Sequence, residues 1–377
     1  MRNALLLATS GLALAAGLAC GGAPTNPAAT AGPSPTPRPS VFDSGRTAYG
    51  FFPSPPEPVL ESVLQTFQDM GEHADVVLVQ QNIAWEDFLD SPDGDSQRMT
   101  DILNQQILAR QNGLEVIFVV DPLNGLNRSE FAGVPEGWGA ADFGLPEVRR
   151  AYTNFALRAV RELQPRYLGL ASEINTYADA FPEDFTNFVS LYRETYAAVK
   201  AESPETQVFV TFQWEDLNNL IPGVSEGRTA YEVNWEQVEA FEPELDLWVI
   251  SSYPFIAFPS GALITDDYYS PLLTRTDKRL AVAEGGFVSR EAAPFSGTPQ
   301  DQVDYLQAIH NQIGARLDFW IYLLLSDFNQ ETYAVHMRAE GASEADIETL
   351  SFFASVGLRE FDGTPKPALE VWDGFRR

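Results

Sequence analysis

Short runs rich in β-branched and aromatic residues alternate along this chain with stretches whose apolar positions recur at three- and four-residue spacing. The runs cover residues 47–52, 75–81, 115–121, 166–173, 207–213, 246–253, 279–284 and 317–325. They begin roughly 40 residues apart, and they are apolar on both faces, as buried parallel strands are. Between them the helical pattern is plain. Residues 56–71 place Val59, Leu60, Val63, Leu64 and Phe67 on one stripe, with Gly71 as the predicted C-terminal cap. Residues 99–113 repeat it with Ile102, Leu103, Ile107 and Leu108. Pro182 followed by Glu183 and Asp184 predicts a helix start, and Thr298-Pro299-Gln300-Asp301 predicts a capped start for a helix over 301–315. Eight strand-helix units predict an α/β fold, a single-domain (β/α)8 TIM barrel over residues 42–377. A two-lobed solute-binding architecture is the alternative. It requires a hinge and a change of rhythm near the middle, and the sequence has neither.

The first 41 residues do not follow this pattern. Residues 1–19 carry one cation, Arg2, and then an apolar run too short to span a bilayer, which predicts a signal peptide. The run ends in Gly17-Leu18-Ala19-Cys20-Gly21, which resembles a bacterial lipobox with Cys20 as the lipidation site, although Gly17 stands where Leu is usual. Residues 20–41 are rich in Pro, Ala and Thr and predict an extended tether. Together these predict export to the cell envelope, with the membrane touched only through a lipid anchor.

Composition narrows the partners. Lys and Arg number 24 and Asp and Glu 53, giving 24 − 53 = −29, which disfavours nucleic acid and anionic surfaces. Cys20 is the single cysteine, so disulfides and thiol chemistry are not expected in the body. His73, His310 and His336 lie far apart without metal-ligand spacing, and neither metal nor cofactor is expected. A monomer is expected.

In a (β/α)8 barrel the chemistry sits at the C-terminal ends of the strands. Those ends carry Gln80-Gln81, Asp121, Ser172-Glu173-Ile174-Asn175, Gln213-Trp214, Tyr253 and Glu284. Alternation predicts Tyr167, Gly169, Ala171 and Glu173 on one face, and likewise Leu280, Val282 and Glu284. Each Glu ends an apolar run, where an unpaired charge is unfavourable. Two carboxylates across a barrel mouth are the pair that glycoside hydrolysis uses, one protonated to help the leaving oxygen and one ionised to attack.

Leu168-Gly169-Leu170-Ala171-Ser172-Glu173-Ile174-Asn175, Ser252-Tyr253-Pro254-Phe255 and Val282-Ala283-Glu284-Gly285-Gly286-Phe287 resemble the fourth-, sixth- and seventh-strand motifs of the clan A glycoside hydrolases. The arabinogalactan endo-β-1,4-galactanases are the nearest in character. The resemblance implies a retaining hydrolase with Glu173 as acid/base, Glu284 as nucleophile and Tyr253 bonded to that nucleophile. Two departures stand out. Ser172 occupies the place of the Asn that holds the sugar 2-hydroxyl, with Asn175 two residues beyond Glu173, and no Arg ends the second strand. Asn175 and Gln213 are expected to contact sugar hydroxyls, with Ser172, Gln81 and Asp121 beside them. Trp85, Trp214 and Trp320, with Trp138, Phe255 and Phe287, are candidates for stacking on sugar rings. A non-catalytic carbohydrate-binding lipoprotein on the same barrel is the competing reading, favoured by Ser172.

Overall fold

The computed structural model describes residues 40–377. The predicted signal peptide, Cys20 and nearly all of the predicted tether lie outside the described residues. Among the described residues eleven strands form: β1 (Ala48–Phe51), β2 (Val76–Asn82), β3 (Glu115–Asp121), β4 (Leu123–Asn124), β5 (Asn127–Phe131), β6 (Tyr167–Gly169), β7 (Gln207–Phe209), β8 (Thr211–Gln213), β9 (Trp248–Ser252), β10 (Leu280–Gly285) and β11 (Leu317–Tyr322). Nine of them make one parallel sheet in the order β7-β6-β3-β2-β1-β11-β10-β9-β8. Its two edges, β7 and β8, are halves of one stave broken at Val210. Around the break, Leu170 N–H donates to Phe209 O at 2.8 Å and Thr211 N–H to Ala171 O at 3.1 Å. The sheet therefore closes into a (β/α)8 barrel with helices around it, and β4 and β5 are a small hairpin above the third stave.

The helical layer follows the apolar stripes with shifted ends. The first helix is Leu60–His73 and the second Gln97–Gln111. Gly71 is not a cap but sits inside its helix, and the reason is packing: a Cβ there would lie 2.7 Å from Asn112 O. Pro182–Glu202 begins at Pro182, and Pro299–Ile313 begins in a full capping box between Thr298 and Asp301. Among the described residues no helix is long and apolar enough to cross a membrane.

Inside the barrel, Phe319 packs on Tyr167 and Phe209, and Phe42 closes the N-terminal end against Tyr167. Gly169 is a necessity of that layer, since a Cβ there would meet Val119 Cγ2 at 2.8 Å and the Phe209 ring at 3.0 Å. Trp320, Tyr322 and Trp372 fill the space between the sheet and the C-terminal helix Pro367–Arg376. Just before that helix stands Lys366, whose buried ammonium donates to Asp327 Oδ1 at 2.7 Å, Gly357 O at 2.8 Å and Ser289 Oγ at 2.9 Å.

Candidate active site

Both glutamates reach the barrel axis by a departure from regular strand geometry. β6 stops at Gly169, so Glu173 is not a strand residue. It stands at the N-terminus of the helix Ile174–Ala180 with left-handed backbone angles, φ 50° and ψ 43°. That conformation is unfavourable for a side chain with a Cβ. It is held by Glu173 N–H donating to Thr211 Oγ1 at 2.8 Å.

On β10 the pairing with β9 shifts between Val282 and Glu284, leaving Ala283 as a bulge. Val282 pairs with Trp320 and faces the helices, whereas Glu284 pairs with Ser251 and faces inward. The expected common face of Leu280, Val282 and Glu284 is thus wrong in a specific way. Without the bulge, alternation would have aimed Glu284 out of the site.

Between the two glutamates lies Arg128, a residue the sequence reading passed over. It is the inward-facing residue of β5, in the hairpin after the third stave. Its Nη1 donates to Asp121 Oδ2 at 2.5 Å and its Nε to Glu173 Oε2 at 3.3 Å. Gln80 Nε2 also donates to Asp121 Oδ2, at 2.8 Å. Ser251 Oγ donates to Glu173 Oε1 at 2.5 Å, and Tyr253 Oη donates to Glu284 Oε1 at 2.5 Å. Glu284 Oε2 has no hydrogen-bond partner among the described residues. The group is sealed: Glu173 and Asp121 are 0% exposed, Glu284 and Arg128 1%.

Burial is what pushes the Glu284 carboxyl well above the usual carboxylate range. The charge of Glu173 adds to the rise, while Arg128 and the Tyr253 bond oppose it. Burial likewise raises Asp121 against the pull of Arg128, and raises the Tyr253 hydroxyl with help from both glutamates. Among the described residues no cluster suits a metal ion.

A second buried network braces this one. Glu215 accepts from Ser252 Oγ and Gln213 Nε2, each at 2.7 Å, from Tyr253 N–H at 2.9 Å and from Tyr268 Oη at 3.0 Å. It fixes the backbone from which Tyr253 reaches Glu284. Asp216 accepts from Asn175 Nδ2 at 2.9 Å and Thr176 Oγ1 at 3.2 Å. Burial, then the neighbouring Asp179 charge, pushes its carboxyl up to about 7.

No protein-family model matches the chain, and no curated protein matches it in sequence. Solved structures do match its fold. An exo-β-1,4-mannosidase from Opitutaceae bacterium strain TAV5 superposes with a TM-score of 0.61 at 14% identity, over 88% of this chain. This chain spans 59% of that enzyme's length. A hyperthermophilic β-glucosidase mutant gives 0.57 at 13% identity, over 82% of this chain and 86% of its own. A fungal β-1,4-galactanase gives 0.50 at 15%, over 84% and 90%. These likenesses show the fold, a (β/α)8 barrel like those of the glycoside hydrolases named.

Within this barrel the expected site residues divide. Glu173 and Asp121 meet on Arg128, Glu284 and Tyr253 form a second bonded pair beside them, and Ser172 lies by Thr211, Oγ to Oγ1 3.3 Å. Asn175 and Gln213 do not present free hydroxyl-binding groups. Asn175 Oδ1 accepts from Gln213 N–H at 2.8 Å, its Nδ2 serves Asp216, and the Gln213 amide is divided between Asp216 N–H and Glu215. Gln81 points away from the axis, toward Arg98 at 3.5 Å, because Gln80 takes the inward position of β2.

The tryptophans are elsewhere too. Trp320 lies on the outer face of β11 against Trp372 and Phe375. Trp214 is buried among Trp235, Tyr268 and Tyr269. Trp85 supports the hairpin from beneath, donating Nε1–H to Ala132 O at 2.7 Å and packing on Phe131 and Trp138. None of the three forms a sugar platform. Arg128 had a sequence signal: Asn124-Gly125, a tight-turn pair, precedes Asn127-Arg128-Ser129 and predicts a hairpin with alternating faces.

Proposed function

We propose that this chain is a retaining glycoside hydrolase, exported and lipid-anchored as its N-terminal sequence suggests. The observation that carries the reading is the asymmetry of Glu284. One oxygen is fixed by Tyr253 and the other is left without a protein donor, so a lone pair is available for attack at an anomeric carbon. Glu173, held by Ser251, is the acid that protonates the departing oxygen. It then acts as the base that draws a proton from water in the second step. The bond broken is the exocyclic C–O of the glycoside, and the intermediate is a glycosyl ester on Glu284. While Arg128 is ion-paired to Glu173 the proton of the pair rests on Glu284, so turnover requires the hairpin to draw Arg128 back, which lets Glu173 take that proton and leaves Glu284 ionised for attack.

That same ion pair favours the second reading, a barrel that binds carbohydrate without cleaving it, in which Arg128 permanently fills the reaction centre. A panel of 2-deoxy-2-fluoro glycosyl fluorides, followed by peptide mass spectrometry, separates the two. The hydrolase reading expects one glycosyl adduct on Glu284, absent in Glu284→Gln. Glycan binding with no adduct and no released reducing sugar would establish the non-catalytic reading.

A further inference from the structure

A cleft lies at the same end of the barrel as this site, among the loops beyond the strands' C-terminal ends. It has a volume of about 580 Å³, the size of a small-molecule site, and its walls are loops that follow five of the eight staves. Phe255, Phe258, Phe295 and Phe352 line it, with prolines and Ile256 between them. Phe255 packs on Tyr253 with ring centroids 5.8 Å apart, and Tyr253 bonds Glu284, so two contacts lead from the cleft to the reaction centre. On another wall stand Leu126 and Asn127, the residues just before Arg128. The cleft therefore adjoins the sealed glutamates through Tyr253, and whatever fills it touches the hairpin that closes them.

Its chemistry is unlike a sugar-chain groove. No Trp, Tyr, Lys or Arg is among its described lining residues, and the charged ones are Asp346 and Glu348. Sugar rings need a high density of hydroxyl partners along with a stacking face, and this lining is mostly apolar. The two carboxylates disfavour an anionic occupant.

Resting on the hydrolase reading, we infer that the cleft is the leaving-group site. Its substrates are glycosides whose non-sugar half is apolar and uncharged, an alkyl, aryl or similar alcohol in place of another sugar. Burying the apolar half there supplies binding energy, and contact with Leu126 and Asn127 favours withdrawal of Arg128.

The test compares methyl and n-octyl β-glycosides of glucose, galactose and mannose below the micelle concentration. Their leaving alcohols are equally poor, so a difference reports burial of the chain alone. Binding to Glu284→Gln is read by calorimetry and hydrolysis by the wild-type chain as kcat/KM. For the accepted sugar, octyl is expected to exceed methyl roughly tenfold or more, since burying about two methylenes yields that factor. Phe352→Ser should bring the octyl-to-methyl ratio toward one. So should Ala345→Trp, which fills the cleft from an exposed helix position and keeps the fold. Equal affinities, or a ratio untouched by both variants, would overturn the inference. A preference for oligosaccharides over the octyl glycoside would overturn it while leaving the hydrolase reading intact. Octyl preference without cleavage or adduct would sink the hydrolase reading and with it the leaving-group role, leaving the cleft an apolar binding site only. Self-association abolished by Ala345→Trp, with no octyl preference, would mean that a second copy covers the cleft, and would also overturn it.

Discussion

Glu284 is a carboxyl that the fold prefers protonated. Burial and the Glu173 charge raise it, so the folded chain keeps this proton to a higher pH than the unfolded chain does. The stability linked to a raised carboxyl is present below the unfolded value and is lost as pH climbs toward the folded one. Glu284→Gln removes that liability and keeps an acceptor for Tyr253. The variant should melt at the wild-type temperature near pH 4.5 and about 3 °C or more above it at pH 8, by scanning calorimetry. A variant that melts lower at pH 8 would mean the carboxylate is compensated better than its surroundings imply. The residues of this group were unevenly legible. Glu173, Glu284, Tyr253 and Asp121 end apolar runs, and that signal is local. Ser251 and Thr211 carry no such signal, because their role depends on which staves become neighbours. Trp320 and Gln81 misled because one step of alternation, invisible without the register, separates the barrel axis from the helical layer.

At the scale of elements, the hairpin 123–131 decides whether the site is open. It presents one long cation inward and is braced from below by Trp85 and Trp138. Asp121 and Arg128 form a fully enclosed pair, in which loss of one partner strands the other. Arg128→Met should therefore cost about 3–5 kcal/mol of stability in denaturant unfolding. Arg128→Met with Asp121→Asn should recover most of that loss, a coupling of at least about 1 kcal/mol in the double-mutant cycle. Additive losses would show that Arg128 is held by the hairpin backbone and not by its charges. The elements themselves were mostly readable, with boundaries shifted by a few residues. What the pattern could not show was interruption: the break at Val210, the early end of β6 and the bulge at Ala283. All three depend on closing the ring, and two of them set the direction of a glutamate.

For the whole molecule, the two ends of the barrel have opposite electrostatic designs. At the mouth, carboxyls crowd together and are raised. At the N-terminal end Asp75 is surrounded by cations: Arg46 donates to both its oxygens at 2.8 Å, Arg376 Nε donates at 3.1 Å, and Tyr49 N–H at 3.1 Å. These ties join the first strand, the second and the last helix. Nearby, Ser40 Oγ and Val41 N–H donate to the Glu115 carboxylate, which places residues 40 and 41 on the face opposite the mouth. Burial would raise the Asp75 carboxyl, but the Arg46 bonds, Tyr49 and Arg376 outweigh it and hold it below its usual value. The linkage sign is therefore reversed from Glu284. Stability from Asp75 is present above the ordinary carboxylate range and is lost as pH falls through the lowered value. Asp75→Asn should destabilise the chain by about 1–3 kcal/mol at pH 7, and the deficit should shrink as the pH falls below about 4. Because Asp75 touches nothing at the mouth, the rate of adduct formation on Glu284 should stay at the wild-type value well below the melting temperature. A slowed rate at full occupancy of the folded state would mean that the two ends of the barrel are mechanically coupled.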